Sequence, residues 1–232
     1  FVGTGAIHAI SKDSLIHQKS SVFEDLVQRT RSHESYASCY NRERSWRIDT
    51  TCDTKCKSLP QILSISTESC PAMDKKSKKK RRALIRLSIV DGTGAALLDT
   101  LVSPGRDKTL DLQGTAHNIT EEMLAECKFT VEHAKTAMNR LCCQKSVLIG
   151  YRLNRHLMGL DLCHERVVDV SFLYKSEGNE KAVPSFRSLA KTILNVDVRE
   201  DQEDALEVAK VALQLAHYAI GLDSDELPEI QT

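Results

Sequence analysis

Residues 149–164 read IGYRLNRHLMGLDLCH, and this stretch decides the fold class of the chain. The aliphatic residues that end at Gly150 predict a buried strand. After a polar break, Leu153, Leu157 and Leu160 recur at helical spacing and predict a helix with one apolar face. A strand that leads directly into such a helix is typical of a sheet whose faces are covered by helices.

The segments on either side extend this pattern. Ala83–Val90 and Ala95–Val102 are aliphatic strands, and the Asp-Gly-Thr-Gly between them indicates a hairpin turn. Thr120 and Thr130 are expected to be helix N-caps. Helices are expected at 121–127, 131–142, 153–160, 185–194 and 203–220, and further strands at 146–149 and 166–170. The order of these elements predicts an α/β fold with a mixed sheet flanked by helices.

Charge is balanced overall but unevenly distributed. The 232 residues contain 32 Lys and Arg and 32 Asp and Glu, so net charge indicates no partner. One run is strongly basic, however, and its cations are Lys75, Lys76, Lys78, Lys79, Lys80, Arg81 and Arg82. Such a run predicts nucleic-acid contact or nuclear or nucleolar localisation, with a solvated linker as the alternative. No apolar run approaches the ~18 residues of a membrane span.

The chain is expected to divide into two unequal zones. Residues 6–82 are rich in Ser, Thr, Cys and charge, and predict a mostly irregular insertion that ends in the basic run. One amphipathic helix, Ser14–Thr30, is expected within this insertion. Residues 83–222 are expected to form the ordered core, followed by an acidic tail over 223–232.

Several segments together resemble the RNA exonuclease family, especially its RNA exonuclease 4 type. ALIRLSIVDGTGAALLDTLVSP (83–104) is similar to the family's second and third strands. VLIGYRLNRHLMGLDLCHERVVDVSFLY (147–174) is similar to its second motif, and QEDALEVAKVAL (202–213) to its third. FVGTG (1–5) is similar to the end of its first motif, Asp-Cys-Glu-Phe-Val-Gly-Thr-Gly.

The resemblance implies a ribonuclease H-like fold and 3′-to-5′ cleavage of RNA. Enzymes of this class use two Mg²⁺ or Mn²⁺ ions, held by four acidic residues, and a histidine as general base. The first-motif Asp and Glu are expected to lie before Phe1. The second-motif Asn-Asp is replaced by Arg155-His156, and Arg199 stands where the histidine is expected. Asp204 is the third-motif carboxylate that remains.

Two further positions bear on this comparison. Tyr151 replaces a family histidine, whereas Asp169 matches a family Asp and is expected to hold a loop. Asp204 has two interpretations, a weak ligand for one metal ion or an acid that stabilises the start of a helix. His156 is expected to fill a vacated pocket rather than bind a metal. Arg152 and Arg155 are expected, with the basic run, to contact nucleic acid.

Three functions remain open at this point. The first is a degenerate exonuclease that contacts RNA, such as rRNA, or a ribonucleoprotein. It is expected in the nucleus or nucleolus, with the cytoplasm or mitochondrion as alternatives. The second is an active exonuclease, dependent on Mg²⁺ or Mn²⁺, whose first-motif carboxylates precede Phe1. The third is a protein-binding scaffold that acts through the acidic C-terminal helix. The sequence confidently identifies no catalytic residue.

Overall fold

A mixed β-sheet, with five strands in its main order and a sixth paired at one end, forms the centre of the described structure. The computed structural model describes residues 20–41, 46–48, 59–113, 115, 119–178, 182–198 and 204–231. The strands are β1 (Trp46–Arg47), β2 (Ile62–Asp74), β3 (Lys80–Asp91), β4 (Ala96–Leu101), β5 (Lys108–Leu110), β6 (Val147–Gly150), β7 (Leu162–Cys163) and β8 (Val167–Asp169). Their order in the main sheet is β4-β3-β2-β6-β8. The predicted α/β class with a mixed sheet is confirmed.

Strand direction divides the sheet at β2. β2, β3 and β4 pair antiparallel, whereas β6 pairs parallel with β2 on one side and with β8 on the other. β5 pairs with the far end of β2, and β1 and β7 form a separate two-stranded ribbon. The predicted hairpin between β3 and β4 is confirmed, and Gly94 in its turn has a φ of 85°.

Helices cover both faces of the sheet. They are α1 (Glu24–Ser32), α2 (Tyr36–Tyr40), α3 (Glu121–Glu126), α4 (Val131–Leu141), α5 (Leu153–Gly159), α6 (Phe186–Leu194) and α7 (Ala205–Tyr218). One core joins α1, α6 and α7 to the face that carries Val147 and Ile149. The other joins α2, α4 and α5 to the face that carries Leu148. Successive residues of β6 therefore enter opposite cores, as the pleat of a strand requires.

The predicted helix N-caps are confirmed. The Thr120 side chain accepts a hydrogen bond from the Met123 N–H at the start of α3. At the start of α4, Thr130 and His133 bond to each other's backbone N–H groups in a capping box. None of the described helices is long and apolar enough to cross a membrane.

The prediction of irregular structure over 6–82 is wrong for the part of that zone that forms β2. Residues 62–66 are all buried, and β2 lies in the middle of the sheet. The serines that suggest a loop have a packing role instead. Ser64 Oγ donates to the Ala209 carbonyl oxygen at 2.7 Å, so a small polar residue lets α7 lie close against the strand. The ordered core therefore begins well before Ala83.

The segment before β2 also contributes to the core. The predicted helix Ser14–Thr30 is replaced over the described residues by a 3₁₀ turn, Ser20–Phe23, and α1. Phe23, Leu26 and Val27 are fully or almost fully buried, whereas Val22, which was predicted to share their apolar face, is 41% exposed. Residues 1–19, which include the start of that helix and the FVGTG segment, lie outside the described residues.

Candidate functional site

The C-terminal end of β6 creates a gap in the sheet where the candidate site lies. β6 pairs with β2 through Ser64 and ends at Gly150, while β2 continues to Asp74. The close approach needs glycine, because a Cβ at Gly150 would lie 2.9 Å from the Ile65 carbonyl oxygen. Beyond this point, the backbone of β2 has no β6 partner, and side chains of α5 and α7 approach it.

His156, the residue at the second-motif Asp position, bonds to β2 across this gap. Its Nδ1 accepts from the Thr67 backbone N–H at 3.1 Å, and lies 2.9 Å from Thr67 Oγ1. Its Nε2 lies 3.0 Å from the Tyr151 carbonyl oxygen and therefore carries the proton. Burial lowers the pKa of His156 to about 4, so the ring is neutral near pH 7. Both ring nitrogens therefore form hydrogen bonds with backbone groups.

On the other face of β2, Arg86 joins three carboxylates. Its guanidinium lies 3.0 Å from Asp99 Oδ2, 3.3 Å from Asp204 Oδ2 and 3.5 Å from Glu68 Oε1. The contact with Asp99 is bidentate, since Nε also donates to Oδ1 at 3.1 Å. Burial opposes the charge of Arg86, but the three carboxylates outweigh it and raise its pKa. One fixed cation thus neutralises part of this acidic cluster.

Asp204 stands at the start of a helix, which is one of the two interpretations of its sequence position. Its Oδ1 accepts from the backbone N–H groups of Leu206 at 2.6 Å and Glu207 at 3.4 Å, which caps the N-terminus of α7. Its Oδ2 bonds to Arg86. Arg199 and Glu203, the other two residues predicted for this motif, lie outside the described residues.

Glu68 is the site residue that the sequence analysis missed. It lies on β2, in the local sequence Ser66-Thr67-Glu68, and its carboxylate belongs to the cluster around Arg86. The available signal was the spacing of Ser66 and Glu68, two residues apart. It was passed over because this segment was predicted to belong to an irregular insertion. Ser66 is buried and, two residues from Ser64, shares the face of β2 that packs against α7.

Asp169 is buried beside the site and fastens α2 to the sheet. Its carboxylate accepts from Tyr40 Oη at 2.8 Å and from Ser171 Oγ at 2.7 Å. Burial raises the pKa of this carboxyl group, while those hydrogen bonds favour its charged form. Asp169 lies opposite Gly150 in the pairing of β6 with β8. From this position its side chain holds neighbouring elements in place.

The predicted basic residues fall in two places. Arg152 begins α5 with a φ of 50°, and its guanidinium lies 5.5 Å from the centre of the Tyr151 ring. Arg155 is exposed on the same helix. The basic run is elsewhere: residues 75–77 form the turn between β2 and β3, and Lys80, Arg81 and Arg82 belong to β3. The run is therefore a folded hairpin tip rather than a linker.

The residues at the candidate site do not fit the pair of metal ions that the family resemblance implies. Three carboxylates, Glu68, Asp99 and Asp204, share Arg86, and both nitrogens of His156 are engaged by the backbone. Across the part of the chain that the structure describes, no group of three or more His, Cys, Asp or Glu residues could hold a metal ion.

Comparison with known proteins shows that this chain is similar to proteins named RNA exonucleases. RNA exonuclease 5 of Homo sapiens is 30% identical over 154 residues, which cover 65% of this chain and 20% of that protein. RNA exonuclease 4 of Candida glabrata is 26% identical over 170 residues, which cover 72% of this chain and 63% of that protein. The chain contains an RNA exonuclease-family domain. No model of a known protein family matches it.

Solved structures support the ribonuclease H-like fold of this exonuclease-family domain. The Saccharomyces cerevisiae Pan2 pseudoubiquitin hydrolase–RNA exonuclease module, in complex with AAUUAA RNA, aligns with a TM-score of 0.56 at 18% identity. The alignment covers 78% of this chain and 33% of that chain. The chain spans about a fifth of the length of the RNA exonuclease 5 relatives that it matches.

Proposed function

We propose that this exonuclease-family domain binds RNA but cleaves it weakly or not at all. The observation that carries the proposal is the hydrogen bonding of His156. An imidazole binds a metal through a nitrogen lone pair, but Nδ1 of His156 accepts from Thr67 and Nε2 donates to Tyr151. Metal binding there would break a backbone hydrogen bond at a partly buried site.

The assignment of the four family positions forms part of this proposal. We assign the first-motif pair to Ser66 and Glu68 on β2, in place of the position before Phe1 that the FVGTG segment predicts. The second-motif position is assigned to His156 and the third to Asp204. Two carboxylates then remain of four, and Arg86 supplies the positive charge that metal ions supply in the active class. A fixed guanidinium balances the charge, but it activates no water molecule.

RNA as the partner rests on the relatives and on the distribution of cations. The matched proteins are named RNA exonucleases, and one aligned Pan2 module is in complex with RNA. Arg152 and Arg155 lie on the helix that carries His156, at the edge of the candidate site. We further propose that the domain acts in the nucleus or nucleolus, with rRNA or a ribonucleoprotein as the partner. A basic run is typical of nuclear localisation and of nucleic-acid contact.

A cleavage assay on 5′-labelled RNA tests the proposal. The wild-type chain is compared, in Mg²⁺ and then in Mn²⁺, with His156→Asp/Arg199→His and with the same variant that also carries Ser66→Asp. We expect the wild-type chain to bind RNA without shortening it, and the triple variant to cleave at least ~10²-fold faster, because a general base alone contributes ~10²- to 10⁴-fold.

Two measurements keep the outcome interpretable. Circular dichroism and thermal unfolding establish that each variant folds, which matters because Ser66 is buried. Asp204→Asn, added to the triple variant, is the matched control and should abolish any restored cleavage. Metal-dependent shortening of RNA by the wild-type chain at the rate of the triple variant would overturn the degenerate assignment in favour of an active exonuclease. Absence of both binding and cleavage would favour a protein-binding scaffold.

A further inference from the structure

The hairpin formed by β2 and β3 extends away from the candidate site. β6 ends at Gly150, and β4 pairs with β3 only as far as Arg86. Past Glu68, therefore, β2 and β3 continue without these two neighbours to the turn at residues 75–77. The seven residues from Glu68 to Asp74 span ~20 Å of strand. Residues 69–85 are called the arm below.

The arm is held in place by its own small core. Cys70, Ala72 and Ile85 pack with Ile119 and with Leu124 of α3. β5 adds a third strand beside residues 72–74. These contacts fix the direction in which the arm leaves the sheet.

The turn at the tip of the arm is also ordered. Asp74 Oδ1 accepts from the Lys76 N–H at 3.0 Å and from the Ser77 N–H at 2.6 Å. The hydrogen bonds from Ser77 lower the pKa of Asp74, so this carboxylate is charged near pH 7. Lys78 takes the left-handed conformation that closes the turn, with a φ of 58°. The backbone of the tip is thus defined, while its lysine residues are exposed.

The cations of the tip are available to a ligand. Seven of the eight residues from Lys75 to Arg82 are basic, and all seven are exposed. Lys75 Nζ donates to the Arg106 carbonyl oxygen, and Arg82 donates to Ser69. Among the residues that the structure describes, no carboxylate forms an ion pair with these seven side chains. A compact group of cations without acidic partners attracts a polyanion, whose bound counterions are released on contact.

We infer that the arm binds the phosphate backbone of an RNA strand whose end lies at the candidate site. The inference rests on the proposed RNA-binding function and identifies a second contact region, ~20 Å from the first along β2. RNA suits this geometry because the arm leaves the same edge of the sheet as the site. A strand that passes from the site along the arm meets Arg152 and Arg155 first and the lysines of the tip later.

RNA length separates the two contact regions. Fluorescence anisotropy is measured with labelled RNAs of about 4 and about 16 nucleotides, the range that one single-strand-binding domain covers. The arm variant is Lys75→Gln/Lys76→Gln/Lys78→Asn/Lys79→Gln, with Asn at 78 because it tolerates a positive φ. The matched control neutralises four cations outside the arm: Lys128→Gln/Arg140→Gln/Lys191→Gln/Lys210→Gln.

The arm variant should bind the long RNA ~10- to 100-fold more weakly at physiological salt. The slope of log affinity against log salt should also fall in magnitude by ~2 to 3, because each lost phosphate contact removes ~0.7. Its affinity for the short RNA should be unchanged, and the control should bind both RNAs as the wild type does. Equal losses in the arm variant and the control, or wild-type affinity of the arm variant for the long RNA, would overturn the inference. If the wild-type chain binds neither RNA, the proposed function itself fails.

Discussion

At the scale of single residues, the candidate site shows how charges can be rearranged while a fold is kept. In the assignment proposed above, Glu68 and Asp204 keep the acidic character of the family positions, and both contact Arg86. In the same assignment, His156 replaces a carboxylate with a neutral ring that bonds to Thr67 and Tyr151. Each replacement satisfies groups that would otherwise be buried without partners, which costs ~1–3 kcal/mol for each group.

The buried histidines predict loss of stability in mild acid. Burial lowers the pKa of His164 to about 4, and that of His156 to about 4. As the pH falls from 6.5 to 4, the unfolded chain binds protons that the folded chain excludes, so folding stability is complete above 6.5 and declines below it. Each histidine should account for ~3 kcal/mol of that decline. Urea unfolding across this pH range measures it.

His164→Gln separates one histidine from the other groups that titrate in acid. His164 Nε2 lies 2.7 Å from the Ser146 carbonyl oxygen, and the Gln amide can donate in its place. The variant should lose ~3 kcal/mol less stability than the wild type between pH 6.5 and 4. Identical pH dependence in the two proteins would contradict the assignment of a buried, neutral His164.

At the scale of elements, strand β2 determines the arrangement of the site. Its serine-bearing face receives α7, its other face carries Thr67 toward α5, and its far end becomes the arm. A register shift between Glu68 and Ser69 marks the place where the site gives way to the arm. One strand therefore positions three surfaces, because successive side chains alternate between its faces.

The contact between β6 and β2 at Gly150 predicts a specific sensitivity. A Cβ at this position would lie 2.9 Å from the Ile65 carbonyl oxygen and 3.0 Å from Leu153 Cδ1. Gly150→Ala should therefore destabilise the fold by ~1–3 kcal/mol, because backbone must move to admit the methyl group. Chemical denaturation measures the change.

Gly159→Ala is the matched control for this substitution. A Cβ at Gly159 meets its nearest atom, Leu84 Cδ1, at an ordinary 3.7 Å, and the residue lies at the end of α5. Its substitution should be neutral, or stabilising by up to ~1 kcal/mol, because alanine favours a helix. Equal stability of the two variants would show that the approach at Gly150 is not restrictive.

At the scale of the whole molecule, residues before β2 belong to the folded domain. α1 packs against β8, and Tyr40 of α2 reaches the buried Asp169. Phe23 is fully buried and contacts the His217 ring edge-on, with centroids 5.4 Å apart. We propose that the domain includes these helices.

Substitution of Phe23 tests whether this segment stabilises the domain. Phe23→Ala should cost ~3–5 kcal/mol, because it leaves a cavity in the core shared by α1, α6 and α7. The adjacent Val22 is 41% exposed, so Val22→Ala should change the free energy of unfolding by no more than ~0.5 kcal/mol. Thermal and urea unfolding of the pair would exclude an integral role if both variants matched the wild type.

The sequence alone determined the class of the fold and most of its elements after Ala83. Local signals specify them: periodic apolar residues predict α5 and α7, Thr120 and Thr130 predict helix starts, and Asp-Gly-Thr-Gly predicts the β3–β4 turn. The sequence also predicts a substituted second motif, because its neighbours, Gly150 and Leu153, keep their spacing.

The tertiary structure alone decided where β2 lies and what the site contains. Serines at 64 and 66 resemble a loop locally, and only the packing of α7 makes them part of a central strand. The partnership of Glu68 with Arg86 and Asp204 joins residues that are up to 136 positions apart. Periodicity and caps are properties of neighbouring residues, whereas shared charges and close helix–strand contacts arise only when the chain has folded.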